Sequence, residues 1–256
     1  ASHGTVVAFV GKPHALNDRG SQLLKSLADI GWDQYYQAEQ AGWVLYVEDA
    51  SDLKILRAFA AALGHTGALD ALSRPFVRYT ATNVPQKCRE HFYGLREAKP
   101  DLVGIALFDR LDKELAQGKP LVETMWRRRE SENYFCTEAV LCAYARHDLP
   151  DDLFGAAEAS RREKAMRESI AEVVEALTTL DRPGRLPWSD DIKASDDFLE
   201  PVFRKYFAKL KLPVLFRKTD YHSLAAFLSA RDMDAEIREK LDMIAAVAAR
   251  ARPVGE

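Results

Sequence analysis

Four acids and one lysine stand out because each closes, or closely follows, an apolar run. "VLYVEDASD" (44–52) passes through four apolar residues and meets Glu48 and Asp49, with Asp52 four residues after Glu48. "LVGIALFD" (102–109) stops at Asp109, and "PVLFRK" (213–218) ends in Lys218. Carboxylates held together repel one another and are costly to desolvate. Gathered at the end of a buried strand, they hold a cation, receive a phosphoryl group or cap the next helix. A cap by Asp49 or Ser51 would satisfy free N–H groups of the helix that starts here, but it leaves Glu48 without a task. A rim of acids suits a hard divalent ion such as Mg²⁺ or Mn²⁺, which takes oxygen ligands. Two such ions about 4 Å apart can clamp both oxygens of a phosphodiester displacement.

These residues need a scaffold that brings strand ends together. "TVVAFVG" (5–11) reads as a strand and "SQLLKSLADIGW" (21–32) as a helix of period 3.6. Val44–Val47 is an apolar run of the kind found in central parallel strands. Helices follow over 51–64, closed by Gly64, and over 85–98, with Pro85 in its first turn; "FVRY" (76–79) and "LVGIALF" (102–108) are further strands. The alternation implies an α/β fold with a parallel sheet and right-handed crossovers. From about 110 to 211 no strand is legible; "SRREKAMRESIAEVVEALTTL" (160–180) and "DFLEPVFRKYFAKL" (197–210) read as helices around a loop at 181–188. A strand returns at 212–218 and helices fill 222–250. The expected organisation is an α/β domain over 1–125, a helical insertion over 126–211, and a closing strand with helices over 212–256. In a parallel sheet the C-terminal strand ends share one edge, where open α/β folds build their sites. This predicts Glu48, Asp52, Asp109 and Lys218 on a single rim.

Composition narrows the classes. The chain has 256 residues, 47% hydrophobic and 29% charged, the balance of a globular domain with an ample core. A net charge of −3 gives no overall basic field, so any nucleic-acid contact must use local patches. The three cysteines, Cys88, Cys136 and Cys142, form no metal-ligand spacing, and their sparse, odd count suits a reducing cytoplasm. No apolar run approaches a membrane span, and no signal peptide is legible. The six histidines form no cluster.

Four motifs in order carry a family resemblance. "VLYVEDASDLKILRAFAAALGH" resembles the first motif of Toprim domains, and "GIALFDRLDKE" their DxD segment. "WRRRESENYF" (126–135) is similar to the Glu-Asn-Tyr motif of the overcoming-lysogenisation-defect (OLD) nucleases, and "LFRKTDYHSLAAFL" (215–228) to the lysine segment that closes their Toprim domain. The resemblance implies a Toprim-like sheet interrupted by an all-helical domain. It also implies a cytoplasmic, metal-dependent endonuclease that hydrolyses DNA with two Mg²⁺ or Mn²⁺ ions. Glu48, Asp52, Asp109 and Lys218 would be catalytic, and Glu132 an additional metal ligand with Glu130 as its alternative. One departure is plain: the second acid of DxD falls on Leu111, and Asp112 follows instead. OLD proteins also carry an N-terminal ABC-type ATPase. No GxxxxGK[ST] loop exists here, so the chain reads as the nuclease region of a longer protein, possessing no membrane partner and able to stand as a monomer.

Two further groups complete the candidates. Asp196 or Asp197 could add a metal ligand from the helical domain, although helix N-terminal charge accounts for both. Arg127, Arg128 and Arg129 form a basic run that is either a solvated face or a DNA phosphate contact. Three other classes share parts of this pattern, one of them a metal-dependent DNA-binding module without cleavage. An RNA-processing Toprim nuclease shares the acids. A receiver-like signalling domain shares acids after the first strand, an Asp after a later one and a final Lys, but lacks room for a hundred-residue insertion.

Overall fold

The computed structural model describes residues 6–10, 12–16, 30–180, 188–229, 231 and 233–254. In chain order the elements are β1 (Val6–Val10), β2 (Lys12–Leu16), α1 (Trp32–Ala41), β3 (Trp43–Val47), α2 (Ala50–Leu63), α3 (Thr66–Ser73), β4 (Val77–Tyr79), α4 (Pro85–Arg96), β5 (Val103–Phe108) and β6 (Leu121–Met125). A 3₁₀ turn (Ser131–Tyr134), α5 (Glu138–Arg146), α6 (Leu153–Thr179), a π-helical turn (Ala194–Leu199), α7 (Glu200–Lys209), a 3₁₀ helix (Lys218–Phe227) and α8 (Ala235–Ala248) follow. The chain divides into two compact units. The first comprises residues 1–50, 67–125 and 242–256, and the second 51–66 and 126–241. Residues 51–66 and 212–241 thus belong with the helical segment, and only 242–256 return to the first unit.

The first unit is mixed α/β, built on a four-stranded, fully parallel sheet in the order β4-β3-β5-β6. Residues on both faces of β3 and β5 are buried, which explains their unbroken apolar runs. Val44, Tyr46, Ala106 and Phe108 join Tyr35, Ala38, Phe92 and Leu95 in one core cluster. Gly42 sets the entry into β3. It ends α1 at φ +68°, and a Cβ there would lie 2.6 Å from the backbone nitrogen of Arg252, so a side chain would face both strain and a clash.

The sheet differs from the sequence expectation at its start and at its far edge. The first strand is not part of the parallel sheet: β1 pairs antiparallel with β2 as a separate two-stranded sheet. The expected helix over 21–32 lies mostly outside the described residues. A strand not expected, β6, pairs with β5 across Gly104–Leu121 to Phe108–Met125. Its sequence does not read as a strand because "LVETM" holds a buried acid, Glu123, whose charge is met by a residue distant in sequence. Arg89 Nε and Nη2 donate to its two carboxylate oxygens at 2.6 and 2.7 Å.

The second unit is helical, with α5, α6 and α7 packed around an aromatic core. Phe203 of α7, Tyr144 and Phe216 form a mutual cluster, with ring centroids 5.2 Å (Phe203–Tyr144), 4.5 Å (Phe203–Phe216) and 4.6 Å (Tyr144–Phe216) apart. The expected helix over 197–210 is divided into the π turn and α7. Pro201 sits in the first turn of α7, where its missing N–H costs little. The expected strand over 212–218 is absent. Its segment has no ladder partner among the described residues, and Lys218 opens a 3₁₀ helix.

Candidate functional site

In the first unit, Glu48 and Asp109 immediately follow β3 and β5, neighbours in the sheet. The loop after β4 joins them. Thr80 N–H donates to Val47 O at 3.0 Å and Ala81 N–H to Glu48 O at 2.9 Å, extending the β3–β4 pairing past the strand ends. Ala81, at φ +52°, then turns the chain. Asn83 reaches back: its Nδ2 donates to Glu48 Oε2 at 2.5 Å, and its Oδ1 accepts from the backbone N–H of Asp109 at 3.2 Å. One amide therefore orients a carboxylate and fixes the chain direction at a second acid. Asn83 carries no sequence signal beyond that of an ordinary turn residue; its position matters only once β4, β3 and β5 are known to lie side by side.

Asp112 is exposed on the irregular chain after Asp109. At the position of the missing second acid, Leu111 packs partly against the core cluster, and its N–H points to Met125 Sδ at 3.3 Å. The local structure thus uses position 111 for packing.

In the second unit the "ESENY" segment is buried throughout. Asn133 anchors it: Nδ2 donates to the carbonyls of Ser189 and Ile192 at 3.2 and 3.0 Å, while Oδ1 accepts from Glu130 N–H at 3.1 Å. Tyr134 donates its hydroxyl hydrogen to Glu236. The Asn and Tyr of the motif are brackets, and the two glutamates carry its charge. Glu130, 4% exposed, accepts from Ser195 N–H at 2.5 Å; Glu132, 6% exposed, accepts from Ser131 Oγ at 3.0 Å. Burial pushes the Glu132 carboxyl up to about 8, aided by the charges of Glu130 and Asp52. Burial also raises Glu130, against the Ser195 hydrogen bonds and the charges of Lys218 and Lys193. Asp52, in the first turn of α2, therefore lies within electrostatic reach of Glu132.

Lys218 does not close a strand. Its ammonium donates to Asp196 Oδ1 at 3.0 Å, and Lys193 pairs with Asp196 Oδ2. Burial raises the Asp196 carboxyl, but the two lysines outweigh it and hold it below the ordinary range. Both Asp196 oxygens are thus engaged by cations. Burial opposes the charge of Lys218, yet Asp196 keeps it protonated above the ordinary lysine value. Among the described residues Lys218 closes no strand, which removes the placement expected of it both on the sheet rim and in a receiver-like domain.

The arginine run separates by role. Arg127 pairs with Glu239, and its backbone N–H donates to Glu236 at 2.9 Å. Arg128 bridges Asp190 (3.2 Å) and Asp234 (3.0 Å) and lies 4.8 Å over the Tyr134 ring. Both guanidinium groups are held by neighbouring acids. Arg129 is exposed, and its backbone N–H donates to Asp190 O at 2.7 Å.

Among the described residues, no three Asp, Glu, His or Cys side chains are gathered so as to hold a metal ion. The available donors are all carboxylate oxygens, the chemistry of Mg²⁺ and Mn²⁺, and water would have to complete the shell, as Mg²⁺ commonly arranges. The raised carboxyl of Glu132 fits that chemistry, because a buried acid without a nearby cation holds its proton. No helix among the described residues is long and apolar enough to cross a membrane. No family model, curated protein or solved structure matches the chain.

Proposed function

We propose that this chain is the Toprim-like catalytic region of a metal-dependent DNA endonuclease, as its resemblance to the OLD nucleases implies. One observation carries the reading: Glu48 and Asp109 end neighbouring parallel strands, and Asn83 ties the first carboxylate to the backbone of the second. Open α/β sheets bind ligands at this C-terminal edge. Glu48 and Asp109 would hold a divalent ion in the first unit; Asp52 and Glu132, with Glu130 as neighbour, are the acids of the second. Mg²⁺ or Mn²⁺ held by these acids would supply activation of the attacking water and stabilisation of the departing oxygen. Asn83 keeps one Glu48 oxygen oriented. Lys218, held charged by Asp196, supplies positive charge for the transferring phosphate. In the longer protein an ABC-type ATPase would precede this region.

The test is cleavage of supercoiled plasmid by the purified chain in Mg²⁺, in Mn²⁺ and in chelator. Nicked or linear product should form only with metal and disappear in Glu48→Ala and Asp109→Ala while the circular dichroism spectrum is retained. Equal cleavage in chelator, or full activity in both variants, overturns the reading.

A further inference from the structure

The second unit contains a pocket of about 360 Å³ whose lining combines two kinds of surface. Its buried side is aromatic: Phe216 and Tyr221 have ring centroids 5.7 Å apart, and Phe203 backs both. Its exposed side carries Arg204, Arg217 and Lys218, with Val214 as an apolar wall. One acid, Glu200, also lines it and lies 3.5 Å from Arg204. Both partners of that pair are well exposed, 67% and 62%, so it is weak and readily exchanged. Lys218 shares a single carboxylate, Asp196, with Lys193. The Arg217 guanidinium has no ion pair among the described residues. Positive charge is therefore in surplus at the opening.

The chain leading into the pocket is unusual for a globular surface. Leu212, Val214 and Leu215 are 43%, 40% and 66% exposed on a segment without strand pairing. An apolar ledge beside one guanidinium without an ion pair among the described residues and one in a weak, exposed pair suits a ligand with one flat apolar face and one anionic group. Size then selects among nucleic acids. The volume lies near the lower end of small-ligand pockets, roughly 300–1,000 Å³. It admits one nucleotide-sized group, whereas a duplex keeps its bases paired and stacked and can present only its backbone.

We propose that this pocket receives one unpaired nucleotide of a nucleic-acid strand, with its phosphate at Arg204 and Arg217 and its base against Val214 and Phe216. The identity of the ligand rests on the nuclease reading above; the pocket and its charge do not. Phosphate contact by guanidinium and packing of a base on an apolar face are the common elements of single-strand binding.

The experiment is fluorescence anisotropy with a labelled single-stranded oligonucleotide and the matching duplex, in chelator so that nothing is cut. The parent chain should bind the single strand several-fold more tightly than the duplex. The double variant Arg204→Glu/Arg217→Glu should lose single-strand affinity by about tenfold or more, the scale of a charge-assisted contact. Lys164→Glu, a charge reversal on exposed α6, should lose far less, and millimolar inorganic phosphate should compete with the parent. Thermal melting and circular dichroism confirm that the variants fold; Arg217→Ala replaces the double variant if it does not. Equal affinity for single strand and duplex, or a double variant within twofold of the parent, overturns the proposal. Failure here with metal-dependent cleavage intact rejects the pocket alone. Arginine-dependent binding without cleavage in any metal retains the pocket and rejects the nuclease reading.

Discussion

Asn83 donates to the Glu48 carboxylate at 2.5 Å and accepts from the Asp109 backbone N–H at 3.2 Å. Its side chain is the physical link between the ends of two neighbouring strands. Asn83→Ala removes both bonds and leaves a part-buried carboxylate less well oriented. Stability should fall by about 1–2 kcal/mol, and metal-dependent cleavage by roughly 10–100-fold, the scale of losing an outer-shell partner. Melting curves and plasmid nicking measure the two effects. Cleavage at the parental rate would show that Glu48 needs no such orientation for the reaction.

What could be read in the sequence, and what could not, follows from where each interaction partner lies. β3 and β5 are legible because burial on both faces produces continuous apolar runs. The acids that follow them are legible because an abrupt charge ends each run. β6 is hidden by Glu123, whose neutralising Arg89 is a non-local partner. "LPVLFR" imitates a strand through its apolar content, yet Pro213 has no N–H to give, and Leu212, Val214 and Leu215 stay exposed. The arginine run reads equally as a solvated face or a phosphate contact, and the sequence does not show that Asp190, Asp234 and Glu239, all distant along the chain, hold two of its members.

Glu132 gives a prediction with opposite effects on stability and activity. Its buried carboxyl is raised to about 8 by desolvation and by Glu130 and Asp52. The folded state therefore holds a proton that the unfolded chain releases near pH 4.5. Stability is retained at low pH and lost as pH rises through the folded value. Glu132→Gln mimics the protonated acid. In chelator it should melt higher than the parent near pH 8–9 and at about the same temperature near pH 5. With metal present it should lose cleavage and any metal-induced rise in melting temperature. A variant that melts lower than the parent in chelator at high pH would show that the charged Glu132 is stabilised rather than strained.

His91 sets an acid limit on the first unit. Its Nδ1 lies 2.9 Å from the Tyr46 hydroxyl and its Nε2 lies 2.7 Å from Gln34 Oε1. The neutral ring fits both: Nδ1 accepts from tyrosine and Nε2–H donates to glutamine. Burial lowers its pKa to about 4, and the charge of Arg78 adds to this. The unfolded chain binds the proton near pH 6.5 while the folded one refuses it, so stability falls as pH drops from about 6.5 to 4. The loss is at most about 3 kcal/mol. His91→Gln keeps a donor and an acceptor but cannot titrate. It should be somewhat less stable at pH 7 yet show a shallower loss down to pH 4 in urea titrations. Parallel pH profiles for parent and variant would assign the acid sensitivity to other groups.

Asp196 and Lys218 separate two roles for one carboxylate. As a metal ligand Asp196 should be free to bind an ion; instead its two oxygens meet Lys218 and Lys193. The arrangement fits a positioning acid that keeps Lys218 charged and in place. Asp196→Asn should then leave Mn²⁺ affinity within a few-fold of the parent by calorimetry. Its stability cost should be small, about 1 kcal/mol or less, because the pairs are half exposed. Cleavage should slow as Lys218 loses its anchor. Lys218→Ala should slow it further, by about 10²-fold or more, the scale of one lost electrostatic stabiliser. The double variant should be no slower than Lys218→Ala, since an acid acting only through the lysine has nothing left to position. A loss of Mn²⁺ affinity of tenfold or more in Asp196→Asn, together with additive losses in the double variant, would instead make Asp196 a ligand that exchanges its lysines for the ion.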